Sequence, residues 1–77
     1  MRDLARVRVI FDTEYFYQLR KEKNLTLKKL ASLTSYSYPT LSRISLGGVQ
    51  NPGAEIVCKL AWILGVSSDD LMKEVKV

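Results

Sequence analysis

Residues 26–46 read Thr26-Leu27-Lys28-Lys29-Leu30-Ala31-Ser32-Leu33-Thr34-Ser35-Tyr36-Ser37-Tyr38-Pro39-Thr40-Leu41-Ser42-Arg43-Ile44-Ser45-Leu46, two short amphipathic helical patterns joined by a tight turn. Thr26 is placed to cap the first, because its hydroxyl can accept from a backbone N–H left free at a helix start. A helix over 27–34 then buries Leu30 and Ala31. Ser35-Tyr36 forms the turn, and Ser37 caps a second helix running to about Leu46. Pro39 falls in that helix's first turn, where its missing N–H costs nothing. Leu41 and Ile44 point inward, and Gly47-Gly48 stop the helix, since glycine tolerates the left-handed backbone of a helix end. One helix is thereby held across another, leaving the outer face of the second free to read something.

Working outward, Asp12 or Thr13 can cap an earlier helix in which Phe16, Leu19 and Lys23 recur three and four apart, with Asn24 ending it. On the other side Asn51-Pro52-Gly53 close a loop, and a helix over 54–64 is expected to bury Ala54, Val57, Leu60, Ala61 and Leu64 before Gly65 ends it. Ser67 and Asp70 have capping-box spacing, predicting a short fifth helix through Leu71. At the ends the period changes to two. Val7, Val9 and Phe11 alternate with Arg6, Arg8 and Ile10, and Lys73, Val75 and Val77 alternate with Met72, Glu74 and Lys76. Residues 6–11 and 72–77 are therefore expected to pair as a small two-stranded sheet; the other reading is two frayed tails.

The chain has 77 residues, 47% of them hydrophobic, enough for one core and one domain over residues 1–77. Its net charge of +4 is uneven: residues 1–46 carry nine Lys/Arg against four Asp/Glu, residues 47–77 three against four. A basic amino-terminal half fits a polyanion-facing surface. Cys58 is the only cysteine and there is no histidine, so neither an intrachain disulfide nor a usual Cys/His zinc site can form. No cofactor, metal or small-molecule ligand is expected. No apolar run approaches a membrane span, and charged residues interrupt the first ten positions where a signal peptide would be apolar. A cytoplasmic protein with no membrane partner is the expectation.

Leu19-Arg20, Leu25-Thr26, Leu30-Ala31, Ser37, Leu41-Ser42-Arg43-Ile44, Gly47, Pro52, Leu60-Ala61, Leu64-Gly65-Val66-Ser67 and Leu71 together resemble the Cro/C1-type (XRE-like) helix-turn-helix family of phage and bacterial transcription regulators, in register over residues 19–71. The resemblance implies a mainly α, five-helix lambda-repressor-like domain, with its helix-turn-helix over 27–46. It implies binding of double-stranded operator DNA, repression or activation of transcription, and commonly a homodimer. Three positions depart from the family pattern. Ser45 stands where many members carry a glutamate that pairs with the arginine matching Arg20. Ser35 takes a turn position commonly held by glycine, and Leu27 replaces a common glutamine.

In such a motif the second helix lies in the major groove and the first crosses the backbone. Tyr38, Pro39, Ser42 and Arg43 are then the candidates for base readout. Arg43 can donate two hydrogen bonds to a guanine, or can pair with a phosphate or a nearby carboxylate. Tyr38 and Pro39 can pack on thymine methyls, and Tyr38 can equally be a partly buried ring beside the turn. Phosphate contacts are expected from the helix starts at Leu27 and Ser37, from Lys28 and Thr40, and from the loop residues Gly48, Gln50 and Asn51. Lys28 and Lys29 have a second reading as solvated surface charges.

Ile56, Trp62 and Ile63 fall on the flanks of the fourth helix, where polar residues would be expected. They mark either a dimer interface or a surface that the terminal strands cover within the monomer. Pairing through Val7 and Val9 is a second route to a dimer. No acid, base and nucleophile come together in the pattern, so catalysis is not expected, and Cys58 reads as a space-filler in or near the core. The alternative to a DNA-binding regulator is a protein-interaction module on the same fold, an antirepressor or antitoxin-like partner, which the hydroxyl-rich groove helix keeps open.

Overall fold

Residues 6–76 are described by the structure, a computed structural model. Three of the four α-helices among the described residues begin where a side chain satisfies the backbone. Asp12 accepts from the Tyr15 N–H at 3.1 Å and opens α1 (Thr13–Glu22). The Thr26 hydroxyl accepts from the Lys29 N–H at 3.1 Å and opens α2 (Leu27–Thr34). Ser37 accepts from the Thr40 N–H at 3.3 Å and opens α3 (Tyr38–Ser45), with Pro39 in its first turn. Gly53 precedes α4 (Ala54–Leu64) with no side-chain cap, and Gly65, at φ 74°, ends it. The apolar faces of these helices meet in one core in which Phe16, Leu30, Leu41, Leu60, Leu64 and Leu71 are fully enclosed.

The termini form the expected sheet. Strands β1 (Val7–Phe11) and β2 (Met72–Lys76) run antiparallel with Val7 opposite Lys76 and Phe11 opposite Met72; Val77, assigned to the second strand from the sequence, lies outside the described residues. The sheet is fastened to the helices at one end. Phe11 is buried with its ring edge-on to Phe16 at 5.2 Å, and the Asp12 N–H donates to the Leu71 carbonyl at 2.7 Å.

Four expectations are corrected. The five-helix count is not met: among the described residues there are four α-helices, and the capping box of Ser67 and Asp70 opens only a 3-10 turn, Ser68–Leu71. Its physical reason is length, because the chain must leave at Met72 to pair with β1 and has room for one turn. Ala54 is exposed at the first position of α4, and Ile56 takes its place in the core. Cys58 is exposed, on α4 at the flank of the buried stripe of Val57, Leu60, Ala61 and Leu64. Ala31, expected to be buried, is half-buried.

The chain reversal between α2 and α3 is set by Thr34, Ser35 and Tyr36. Ser35 adopts φ 66°, the left-handed conformation that usually favours glycine. Thr34, buried, donates its hydroxyl to the Leu30 carbonyl at 2.7 Å and accepts from the Tyr36 N–H at 3.3 Å. One hydroxyl therefore ties the last turn of α2 to the first backbone N–H beyond the left-handed residue.

Two stability changes are expected. Leu41→Ala empties a fully buried site and lowers stability by about 2 to 5 kcal/mol in chemical denaturation. Ser35→Gly relieves the left-handed strain at an exposed position and raises the melting temperature, with a gain of up to about 1 kcal/mol.

Candidate nucleic-acid interface

The α2–α3 crossing fixes which side chains reach solvent. Leu41 and Ile44 are buried, so Tyr38, Pro39, Thr40 and Arg43 stand on the outer face of α3 and Ser42 lies half-buried at its margin. The Arg43 side chain makes no hydrogen bond or ion pair among the described residues. It lines a groove with Tyr36, Thr40, Val49, Pro52 and Glu55, between α3, the α3–α4 loop and the start of α4. Glu55 is the carboxylate nearest to hand, but it is taken: Lys59 Nζ lies 3.1 Å from its Oε1, and the Tyr36 hydroxyl donates to the same oxygen at 3.4 Å. The Lys59 hydrogen bond and charge hold Glu55 below the ordinary carboxylate range, and Glu55 in turn raises Lys59. Lys59 also sits 5.3 Å from the centre of the Tyr36 ring. This exposed cluster ties the motif's turn to α4 and leaves the Arg43 guanidinium without a carboxylate partner.

The start of α2 forms a second element of the site. Thr26 caps Lys29, leaving the Leu27 and Lys28 N–H groups without a partner among the described residues. These donors share a concavity with Arg20, Thr26 and the Tyr38 ring. Arg20 was not among the expected contact residues. Its guanidinium lies 5.3 Å from the Phe16 ring centre and 5.6 Å from that of Tyr17, and its Nη1 donates to the Leu25 carbonyl at 3.3 Å. Ser45, standing where a glutamate would pair with it, donates instead to the Ser42 carbonyl at 2.9 Å. Arg20 Nε is buried with no hydrogen-bond partner. The available signal was Ser45 itself, which offers no carboxylate to Arg20, together with the lack of any Asp or Glu over residues 23–54.

Other expected phosphate donors are already engaged. The Gly48 N–H donates to the Arg43 carbonyl at 2.9 Å, closing the end of α3, so it is not free for a phosphate. The hydroxyls of Ser37 and Thr40 bond each other at 2.8 Å, which leaves one hydroxyl hydrogen between them to point outward. Since Thr40 N–H goes to Ser37 and Pro39 has no N–H, the α3 start retains fewer backbone donors than the α2 start. Gln50 Oε1 accepts from Arg8 at 3.0 Å and Asn51 Nδ2 donates to the Val9 carbonyl at 3.4 Å, so both loop side chains also bond β1. Lys28 and Lys29 are exposed.

Of the residues expected at a dimer interface, Ile56 is buried in the core and Ile63 is half-buried. Trp62 is 88% exposed, so the terminal strands do not cover it. Val7 is half-buried and Val9 about half exposed. The edge of β1 away from β2 is occupied by the loop at Val9 and Phe11.

The Helix-turn-helix family profile matches residues 16–71, more than two thirds of the chain. The chain belongs to the Cro/C1-type, XRE-like helix-turn-helix family, whose domains are those of DNA-binding regulators rather than enzymes. No match is found among curated proteins or among solved structures. Among the described residues no helix is long and apolar enough to cross a membrane, and no group of three His, Cys, Asp or Glu is placed to hold a metal.

Proposed function

We propose that this protein is a sequence-specific repressor that acts in the cytoplasm, lays α3 in the major groove of operator DNA and binds as a homodimer. The observation that carries this reading is Arg43, an exposed guanidinium on the outer face of α3 with no acid or carbonyl already bonded to it. A guanidinium left open in this way can donate a bidentate pair to guanine. Ser42 and Pro39 complete the face toward the bases. Tyr38 faces the α2 start as well as the outer surface, so its ring serves a sugar or a thymine methyl at the edge of the contact. The Leu27 and Lys28 N–H groups, at the positive end of α2, supply the backbone seat for a phosphate, with Lys28 and Arg20 as the charges beside it. The outward hydroxyl hydrogen of the Ser37–Thr40 pair and the remaining amide donors of Gln50 and Asn51 add neutral contacts.

The Trp62 face is the surface on which we place the twofold contact. Trp62 is the most exposed large hydrophobic residue among the described residues, and aromatic anchors of this kind centre protein interfaces. The same exposure supports a second reading, in which α4 receives a different protein and the domain acts as an antirepressor or antitoxin-like partner.

Selection of binding sites from random duplex DNA separates the two readings. A regulator enriches a palindromic site in a two-to-one complex whose affinity falls steeply with salt, because binding releases counterions from the phosphates. A protein-docking module enriches no site. Within the selected site, Arg43→Ala is expected to erode discrimination at one base pair by about 1 to 3 kcal/mol without changing the fold; an unchanged preference removes Arg43 from base readout. Trp62, the only tryptophan, reports on the dimer directly. With rising protein concentration its emission is expected to shift to the blue and its quenching by iodide to fall; constant quenching through the monomer–dimer transition places the contact elsewhere.

A further inference from the structure

We propose that β1 is a positioning element for DNA binding: its outer edge holds the α3–α4 loop in the place from which Gln50 and Asn51 reach a phosphate. The inference rests on the DNA-binding reading above. Three bonds cross from strand to loop. The Phe11 N–H donates to the Gln50 carbonyl at 2.8 Å, Asn51 Nδ2 donates to the Val9 carbonyl at 3.4 Å, and Arg8 Nη2 donates to Gln50 Oε1 at 3.0 Å. They follow from the antiparallel register. In β1 the backbone groups of Arg8 and Ile10 face β2, so those of Val9 and Phe11 face the other way, and the loop lies along that side.

The loop needs an external hold because its own ends are permissive. Gly47 and Gly53 bracket it with φ of 83° and 97°, and Gly53 gives α4 no side-chain cap. The strand itself is rigidly based, with Phe11 buried against Phe16 and Asp12 bonded to Leu71. Position therefore passes from the core through β1 to the loop wall of the groove that Arg43 lines. The Arg8–Gln50 bond has a second effect: it engages the carbonyl oxygen of the Gln50 amide and turns the amide's NH2 donors away from Arg8. A neutral side chain is thus presented as a donor, the polarity a phosphate oxygen requires. Arg8 acts through Gln50 and does not itself take the phosphate.

A double-mutant cycle on the full chain tests this, using a duplex that the wild type selects. Arg8→Ala is expected to weaken binding about 3- to 10-fold, the range of one hydrogen bond, in the wild-type background, and less than about 2-fold in the Gln50→Ala background. The slope of log affinity against log salt should be unchanged by Arg8→Ala, and thermal unfolding should move little, since Arg8 and Gln50 are both exposed. Amide exchange at Phe11 in the free protein should accelerate. Additive losses, or a slope reduced by about one, would make Arg8 a direct phosphate ligand and overturn the proposal. Unchanged affinity overturns it as well. Failure of the wild-type chain to select any duplex is a different result: it removes the DNA-binding reading, and the role of β1 falls with it.

Discussion

The orientation of α3 depends on a chain reversal of three residues. With Leu41 and Ile44 buried, the helix can present only one face to solvent, and the angle of that face is set by Thr34, Ser35 and Tyr36. The Thr34 hydroxyl bonds both the Leu30 carbonyl behind it and the Tyr36 N–H ahead, so the end of α2 and the beginning of the turn are fixed by one atom. Tyr36 continues the constraint outward through its hydroxyl to Glu55 on α4. Each fully buried leucine in this crossing contributes roughly 1.5 to 3 kcal/mol of transfer free energy, which outweighs the cost on the order of 1 kcal/mol of a left-handed serine. That inequality explains how the fold keeps a serine where glycine would be easier.

The same bonding that builds the motif decides what remains for a ligand. Every donor used to close a helix is withdrawn from the surface, and α3 is closed thoroughly: Ser37 takes Thr40, Gly48 bonds the Arg43 carbonyl, and Pro39 brings no N–H. The α2 start is closed by a single cap and keeps two N–H groups. Charge follows the same division. Lys28 and Arg20 lie at the α2 start, while on α3 only Arg43 is charged. On the reading proposed above, backbone-directed attraction and base-directed contact thus fall to different helices, the division that docking of this motif in the major groove calls for.

Much of this was legible in the sequence because it is local. Caps at Asp12, Thr26, Ser37 and Ser67, stops at Gly47 and Gly65, and the period-two termini all depend on residues within a few positions of each other, and each lies where it was read. The errors share a cause in tertiary geometry. The capping box at Ser67 is correctly read, yet how far the helix runs is decided by the pairing of Met72 with Phe11, which lies at the other end of the chain. Ile56 and Ala54 exchange roles because the helical stripe alone does not say where the packing arc is centred. Gly48 read as an open donor because its bond to the Arg43 carbonyl cannot be seen in a linear pattern.

Arg20 shows how a departure from a family pattern acquires a physical consequence. A carboxylate beside it would neutralise the charge and fix the side chain in one step. With Ser45 there, the two jobs separate: Phe16, Tyr17 and the Leu25 carbonyl fix the guanidinium, and none of them cancels its charge. Its Nε is left buried without a partner, an arrangement that costs free energy in the folded domain. The cation–π contacts offset part of that cost, each on the order of 0.5 to 2 kcal/mol. The charge so oriented shares a concavity with the open start of α2. With a hydroxyl where a carboxylate would stand, the guanidinium is thus fixed in place but not neutralised, and one of its nitrogens is short of a hydrogen bond.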